Sequence, residues 1–177
     1  MHTVRRLAIL DQATAHRAQK LGGFGETLAE QILRHAGFTS IRNLNETRKN
    51  FPFGDIYAER DGQRYVISVK IRNRYEARTG KLNARYKLGK DCYELAARAQ
   101  AEFSAISAFL AVSLSSDSYC AYFAPLGVLG GSRGVSMTPA AVLRYECLGK
   151  DTPHHIDVLH LKNTYSERAN TDCTNDA

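Results

Sequence analysis

The sequence predicts an α/β fold in which helical and extended segments alternate along one domain. Three observations support this prediction. Apolar residues recur at helical spacing from Glu26 to Ala36, Asp61-Gly62 separates two β-prone runs, and a helical pattern from Asp91 to about Ser104 precedes two further apolar runs. The 177 residues suffice for a full hydrophobic core, and no linker or internal repeat divides residues 1–162.

Composition limits the classes of function. Hydrophobic residues make up 44% of the chain and charged residues 24%, as in ordinary globular proteins. The net charge of +6 favours an anionic partner, with nucleic acid ahead of a membrane surface. The four cysteines are scattered without a C-x-x-C pair, which predicts reduced thiols in a cytoplasmic protein. No apolar run is long enough for a signal peptide or a membrane span, so no membrane contact is expected.

The amino-terminal part is predicted to be mainly helical. A leading helix is expected over Leu7–Lys20, and a second helix over Glu26–Ala36 ends at Gly37. Glu26 lies in the first turn of the second helix, where a carboxylate also suits the helix dipole. That structural role is an alternative to a catalytic one. A short strand is expected over Phe38–Leu44, followed by a polar loop.

The rest of the chain is organised around a predicted hairpin between Phe53 and Arg72. Asp61-Gly62 fit a type I′ turn, which needs positive φ at both central residues. Counting outward from this turn places Asp55 opposite Ser68, and residues two apart on a strand share a face. Asp55, Ser68 and Lys70 are therefore predicted to cluster on one face. The other face carries the apolar residues Tyr65, Ile67, Val69 and Ile71.

A carboxylate next to an ammonium on adjacent strands has two interpretations. It is an arrangement that a phosphodiesterase active site can use. The alternative is a cross-strand ion pair on a half-exposed sheet, worth under about 1 kcal/mol. The elements on either side of the hairpin decide in favour of the first interpretation.

The most basic segment runs from Arg72 to Lys90. It contains seven cations and one acid, so its net charge of +6 equals that of the whole chain. Gly80 and Gly89 predict a loop, in which Tyr75 and Tyr86 are interleaved with the cations. A solvated charged face is the usual interpretation of such a run, but its position at the edge of the hairpin favours phosphate contact. The predicted nucleic-acid-binding residues are Arg72, Arg74, Lys81, Arg85, Lys87 and Lys90.

The carboxyl-terminal half predicts a second hairpin and a short helix. The two strands of the hairpin are expected at Ala108–Leu114 and Ser118–Ala124. Thr138-Pro139 are typical of an N-cap followed by proline at the first helical position, with the helix reaching about Cys147.

The remaining motifs carry weak functional signals. The glycine-rich loop at residues 130–134 lacks the Lys-Ser/Thr that a P-loop requires. His154-His155 precede a predicted strand, Ile156–Leu161, and a metal site there is disfavoured because no Cys and no acidic cluster beyond Asp157 lies nearby. Residues 163–177 are polar without periodicity and are predicted to form a disordered tail.

Four short motifs follow one another along the predicted helix, strand and hairpin: Gly25-Glu26-x-x-Ala29-Glu30, Gly37-Phe38, Gly54-Asp55 and Ser68-x-Lys70. With these motifs in this order, the chain resembles the PD-(D/E)XK nuclease superfamily. The resemblance covers residues 22–124, and its specificity comes from the order and spacing of short motifs. Within the superfamily the chain looks most like the archaeal-type Holliday junction resolvases and the intron-associated endonucleases. The resemblance implies a restriction-endonuclease-like αβββαβ core with a central mixed sheet flanked by helices.

The resemblance implies metal-dependent hydrolysis of DNA, as in a resolvase or in a restriction or homing endonuclease. Mg²⁺ is the usual ion, and Mn²⁺ is an alternative. By position, Asp55 is the implied main metal ligand, Glu26 reaches the metal directly or through water, and Val69 completes the metal-binding set. Lys70 is implied to orient or deprotonate the attacking water. A homodimer is implied because cutting both strands usually takes two sites. The predicted catalytic residues are Glu26, Asp55, Ser68 and Lys70.

Ser68 is a departure from the family pattern, which has Asp or Glu at this position. A hydroxyl is a poor Mg²⁺ ligand beside a carboxylate, so another acid is expected to compensate: Asp91 or Glu94 from the following helix, or Glu59 on the Asp55 face. Two further functions stay open. One is a nucleic-acid-binding protein of the same fold that has lost the chemistry, and the other is an RNA-directed nuclease.

Overall fold

The fold is described from a computed structural model, which covers residues 25–47, 51, 53–76 and 79–153. The leading helix at Leu7–Lys20, the strand at Ile156–Leu161 with the histidines before it, and the tail at 163–177 lie outside the described residues. The elements in chain order are α1 (25–35), β1 (Thr39–Asn43), α2 (Leu44–Thr47), β2 (Ile56–Arg60), β3 (Gln63–Asn73), β4 (Arg85–Lys87), α3 (Cys92–Phe103), β5 (Ile106–Leu114), β6 (Ser118–Pro125), a 3₁₀ helix (Leu126–Leu129), β7 (Gly134–Ser136), α4 (Pro139–Val142) and β8 (Glu146–Pro153).

A six-stranded mixed sheet forms the centre of the fold, with the strand order β1-β2-β3-β5-β6-β8. β3 and β5 are parallel, and the other neighbouring pairs are antiparallel. A parallel pair needs a crossover connection, and the segment that contains α3 provides it. The succession α1-β1-β2-β3-α3-β5 confirms the predicted αβββαβ core with a mixed sheet.

β5 shows how the sheet separates two hydrophobic layers. Its side chains alternate between the faces, as in any strand. Ala108, Leu110 and Val112 pack in the cluster that includes the apolar side of α1. Phe109 and Ala111 pack in the cluster that includes α3 and β4. Helices therefore cover both faces of the sheet, as the sequence predicts. In the ranges that the structure describes, no helix is both long and apolar enough to cross a membrane.

The predicted hairpin is confirmed in its turn and in its register. The φ angles of Asp61 and Gly62 are 52° and 75°, as a type I′ turn requires. Arg60 pairs with Gln63 and Ile56 pairs with Ile67, as predicted, but the paired register ends there and the N–H of Asp55 donates to Ile67 O. The predicted pairing of Asp55 with Ser68 is therefore not part of the ladder, although the Asp55 carboxylate does reach the backbone of β3 at Val69.

The basic segment is more ordered than the predicted loop. β3 continues to Asn73, and β4 pairs antiparallel with β7 to form a separate two-stranded ribbon. Tyr86 in β4 pairs with Val135 in β7, and both side chains are almost completely buried in the cluster on the α3 side of the sheet. Burial of these two side chains attaches the ribbon to the sheet, which is why the segment does not form an open loop.

Two predicted boundaries are wrong. Thr138 does cap α4, since its side chain accepts a hydrogen bond from Ala141 N, but the helix ends at Val142 and β8 follows. The strand predicted to reach Leu44 ends at Asn43. The Asn43 side chain accepts a hydrogen bond from Asn45 N at 2.9 Å, and this cap starts α2.

Gly54 is required by close packing at the start of β2. A Cβ atom on this residue would lie 2.1 Å from Val66 Cγ1 and 3.3 Å from Leu44 Cδ1. We expect Gly54→Ala to lower the free energy of unfolding by about 1–3 kcal/mol, because Val66 is fully buried and has no room to move away. Gly127→Ala, where no atom lies within 4 Å of the added methyl, is the matched control for denaturant titration. Equal stability of the two variants would contradict this prediction.

Candidate active site

Asp55 is held at the beginning of β2 by main-chain contacts to two neighbouring segments. Its N–H donates to Ile67 O at 2.9 Å, and its carbonyl accepts from Leu44 N at 2.9 Å. The carboxylate turns toward β3, where Oδ2 accepts a hydrogen bond from Val69 N at 2.7 Å. The acid is therefore fixed along the backbone of β3 instead of extending freely into solvent.

The electrostatic surroundings of Asp55 show which groups lie near it. Burial raises the pKa of Asp55 above its ordinary value, and the charge of Glu26 adds to this rise. The charge of Lys70 and the hydrogen bonds from Val69 and Asn45 act in the opposite direction on the same pKa. Burial therefore outweighs the charge of Lys70 and the hydrogen bonds in setting the pKa of this carboxylate.

Glu26 lies in the first turn of α1, which packs on one face of the sheet, and its side chain extends toward Asp55. The first described turn of α1 lies against β3, so that a Cβ atom on Gly25 would be 2.9 Å from Ile71 Cδ1. Glycine thus permits the close approach of the helix to the strand. The approach places Glu26 close enough to Asp55 for its charge to act on the pKa of that carboxyl.

Asn45 links Glu26 to Asp55, and Asn43 donates a further hydrogen bond to Glu26. Asn43 Nδ2 donates to Glu26 Oε2 at 2.8 Å, and Asn45 Nδ2 donates to Glu26 Oε1 at 2.9 Å. The same nitrogen of Asn45 lies 3.5 Å from Asp55 Oδ1. The two acids therefore belong to one hydrogen-bonded group at the beginning of β2.

Ser68 and Lys70 project from the opposite face of β3 to its apolar residues. Val69 and Ile71 pack against the cluster on the α1 side, so the alternation of the strand places Ser68 and Lys70 on the α3 side. Ser68 is 2% exposed and Lys70 is half-buried. The structure thus brings Glu26, Asp55 and Lys70 together, and the roles assigned to them from the sequence stay predictions.

The acids proposed to compensate for Ser68 do not complete a three-carboxylate cluster. Glu59 accepts hydrogen bonds from Tyr57 and Ser40, and Glu94 pairs with Arg98 on α3. Across residues 25–47, 51, 53–76 and 79–153, no group of three or more His, Cys, Asp or Glu side chains is placed to hold a metal ion. Asp91 therefore does not fill the position either.

The donor set nevertheless fits a hard divalent cation. Mg²⁺ prefers oxygen ligands, keeps several waters and is commonly held by one or two carboxylates. Glu26 and Asp55 supply two carboxylates in one hydrogen-bonded group, and a cation would offset the cost of desolvating the partly buried Asp55. These two residues would hold such an ion with fewer negative charges than a three-acid site provides.

Most of the predicted nucleic-acid-binding cations are exposed along β4 and its flanks. In β4 the side chains of Arg85 and Lys87 are exposed on either side of the buried Tyr86. Arg74 differs from the others, because its guanidinium donates to Asp151 Oδ1 at 2.7 Å and is engaged within the fold. The exposed members of the predicted set are Arg72, Lys81, Arg85, Lys87 and Lys90.

Sequence reasoning missed the residues that support the acids. Asn43 followed by Glu46 three positions later is typical of a helix start, and this signal marks the position of α2. Nothing in the local sequence indicates that Asn43 and Asn45 contact Glu26. The ion pair between Arg74 and Asp151 likewise joins residues 77 positions apart and has no local signature.

No protein-family model and no curated protein matches the sequence. Among solved structures, the fold is similar to a Holliday junction resolvase from the archaeal hyperthermophile Archaeoglobus fulgidus, with a TM-score of 0.51 and 18% sequence identity. The match covers 71% of this chain and 95% of that chain. At this identity the likeness shows the fold alone. The chain has a restriction-endonuclease-like fold.

Proposed function

We propose that this protein is a metal-dependent endonuclease that hydrolyses phosphodiester bonds in DNA. The observation that carries the proposal is the meeting of Glu26, Asp55 and Lys70 beside one segment of β3 in a restriction-endonuclease-like fold. A resolvase with this fold adds support, because it acts on DNA through the same overall architecture.

The residues present suit the steps of phosphodiester hydrolysis. Asp55 and Glu26 would hold Mg²⁺ or Mn²⁺, with the backbone of Val69 fixing the Asp55 carboxylate. The ion, when bound, supplies Lewis acidity and neutralises charge at the scissile phosphate. The half-buried ammonium of Lys70 orients the attacking water and offsets the negative charge that develops on the phosphate.

The exposed cations that flank Tyr86 extend the site into a surface for the DNA backbone. They belong to the segment from Arg72 to Lys90, which starts at the end of β3 and has a net charge of +6, equal to that of the whole chain. Phosphate neutralisation by such residues provides affinity without sequence information. A homodimer, whose two sites would cut the two strands, and a cytoplasmic location are part of the same proposal.

One observation favours a second candidate, a nucleic-acid-binding protein of this fold without catalytic activity. Ser68 stands where relatives carry an acid, and within the described ranges no third acid joins Glu26 and Asp55. Loss of one carboxylate lowers the affinity for a divalent cation. RNA is a further potential substrate, since exposed cations beside an exposed tyrosine suit either polymer.

A cleavage assay distinguishes these candidates. Plasmid, linear duplex, a four-way junction and a single-stranded RNA are incubated with Mg²⁺ or Mn²⁺ and wild-type protein, Asp55→Ala or Lys70→Ala. We expect wild type to cut DNA and both variants to lose at least about 10²-fold in rate, because each removes a charged group at the reacting phosphate. Cleavage that survives either substitution would defeat the proposal, and binding without cleavage of any substrate would favour the second candidate.

A further inference from the structure

The amide group of Asn45 lies between the two carboxylates of the site. Its Nδ2 is 2.9 Å from Glu26 Oε1 and 3.5 Å from Asp55 Oδ1. The other oxygen of Glu26 accepts from Asn43 Nδ2 at 2.8 Å, and Asn43 Oδ1 accepts from Asn45 N at 2.9 Å. The two asparagines and the two acids therefore form one connected group.

The main chain fixes Asn45 relative to Asp55. Leu44, the first residue of α2, donates its N–H to the carbonyl of Asp55 at 2.9 Å. The start of α2 and the start of β2 are thus joined, and Asn45 follows directly after this contact. Because hydrogen bonds from an amide to a carboxylate are stronger than those between neutral groups, the bridge holds two like charges close together.

The amide of Asn45 is important because no third acid joins Glu26 and Asp55 among the described residues. Ser68 provides no carboxylate, and among the residues that the structure describes no other His, Cys, Asp or Glu side chain joins the two acids. Asn45 is the polar side chain that contacts both of them. Its Nδ2 links the two carboxylates by hydrogen bonds and adds no negative charge to the group.

We infer that Asn45 is a positioning residue that holds the two carboxylates of the site together and so sets its affinity for Mg²⁺ or Mn²⁺. The inference rests on the proposed function and deepens it. Asn45 holds Glu26 and Asp55 at a spacing suited to one cation, and it does so without adding a negative charge. The site consequently binds its ion more weakly than a three-acid site does.

Titration calorimetry with Mn²⁺ on DNA-free protein tests this inference. We expect Asn45→Ala to weaken Mn²⁺ binding by roughly 10- to 100-fold, the usual cost of removing a group that orients metal ligands. Asn45→Asp should instead tighten binding, because a carboxylate at the same place adds a negative charge. Asn83→Ala, on the segment between β3 and β4, is the matched control and should bind Mn²⁺ like wild type.

The opposite signs of the two substitutions separate positioning at the metal from a purely structural role. Unchanged affinity in Asn45→Ala, or weaker binding in both variants, would overturn the inference while leaving the proposed function intact. If circular dichroism shows that Asn45→Ala does not fold, Asn45→Asp decides: tighter binding supports the inference, and equal or weaker binding overturns it. Wild-type protein that binds no Mn²⁺ would defeat both the inference and the proposed metal dependence.

Discussion

Asp55→Asn should abolish cleavage and at the same time make the metal-free protein more stable. The loss of the carboxylate charge removes the main ligand for the ion, which contributes several kcal/mol to transition-state stabilisation. We therefore expect the cleavage rate to fall by roughly three orders of magnitude or more. Asparagine keeps the shape of the side chain and the acceptor for Val69 N, so the fold should be preserved.

The stability gain follows from the direction of the pKa shift. Burial raises the pKa of Asp55 above its ordinary value of 3.8, so the folded protein holds this proton more tightly than the unfolded chain. The stabilising contribution of the neutral carboxyl is complete below pH 3.8 and is lost as the pH rises through the folded value. At neutral pH the wild-type protein bears the full cost of burying this charge, and Asp55→Asn does not.

Thermal unfolding in EDTA at several pH values measures this effect. We expect Asp55→Asn to have a higher melting temperature than wild type at pH 7, with a difference that shrinks as the pH falls toward 3.8. Added Mn²⁺ should stabilise wild type and leave the variant unchanged. Asp117→Asn, at an exposed turn, is the matched control and should match wild type. A less stable Asp55→Asn at pH 7 would contradict the conclusion that burial of the Asp55 charge destabilises the metal-free fold.

The sequence predicted the hairpin that leads to Asp55 because its signals are local. The Asp61-Gly62 turn fixes the register of β2 and β3 through backbone conformation, as far as the pair of Ile56 with Ile67. The helix α3 and the strands β5 and β6 were predicted because each carries a long apolar pattern. Local turn chemistry and periodicity therefore determine the αβββαβ core.

Elements that depend on distant partners were not predictable in the same way. β8 alternates weakly, with Gly149 and Pro153 inside it, and its pairing with β6 defines it. β4 and β7 are three residues long, and each becomes a strand through pairing with the other. The contact of Asn45 with Glu26 joins residues 19 positions apart, so no spacing rule indicates it. Periodicity describes which side of an element is buried, but it does not identify the residue across from it.

Neutralising Arg85, Lys87 and Lys90 together should produce the largest change in DNA binding. The three side chains are exposed, and the buried Tyr86 attaches β4 to the core. Each lost phosphate contact reduces the slope of log K against log salt by about 0.9, so the triple glutamine variant should lose roughly 2 to 3 units of slope. At 0.1 M salt this corresponds to weaker binding by about 10²- to 10³-fold.

Fluorescence anisotropy between 50 and 200 mM salt measures both the affinity and its slope. A matched variant, with glutamine at Arg34, Arg64 and Arg98, removes the same charge from the hairpin tip and from helices α1 and α3. It should change the slope little, because exposed cations away from the DNA release no counterions on binding. Both variants should unfold like wild type, since exposed ion pairs such as Arg34 with Glu30 contribute little to stability. An unchanged slope in the first variant, or an equal loss of slope in both, would place the DNA on a different surface of the protein. The reason is that only direct phosphate contacts make the slope depend on which cations are removed.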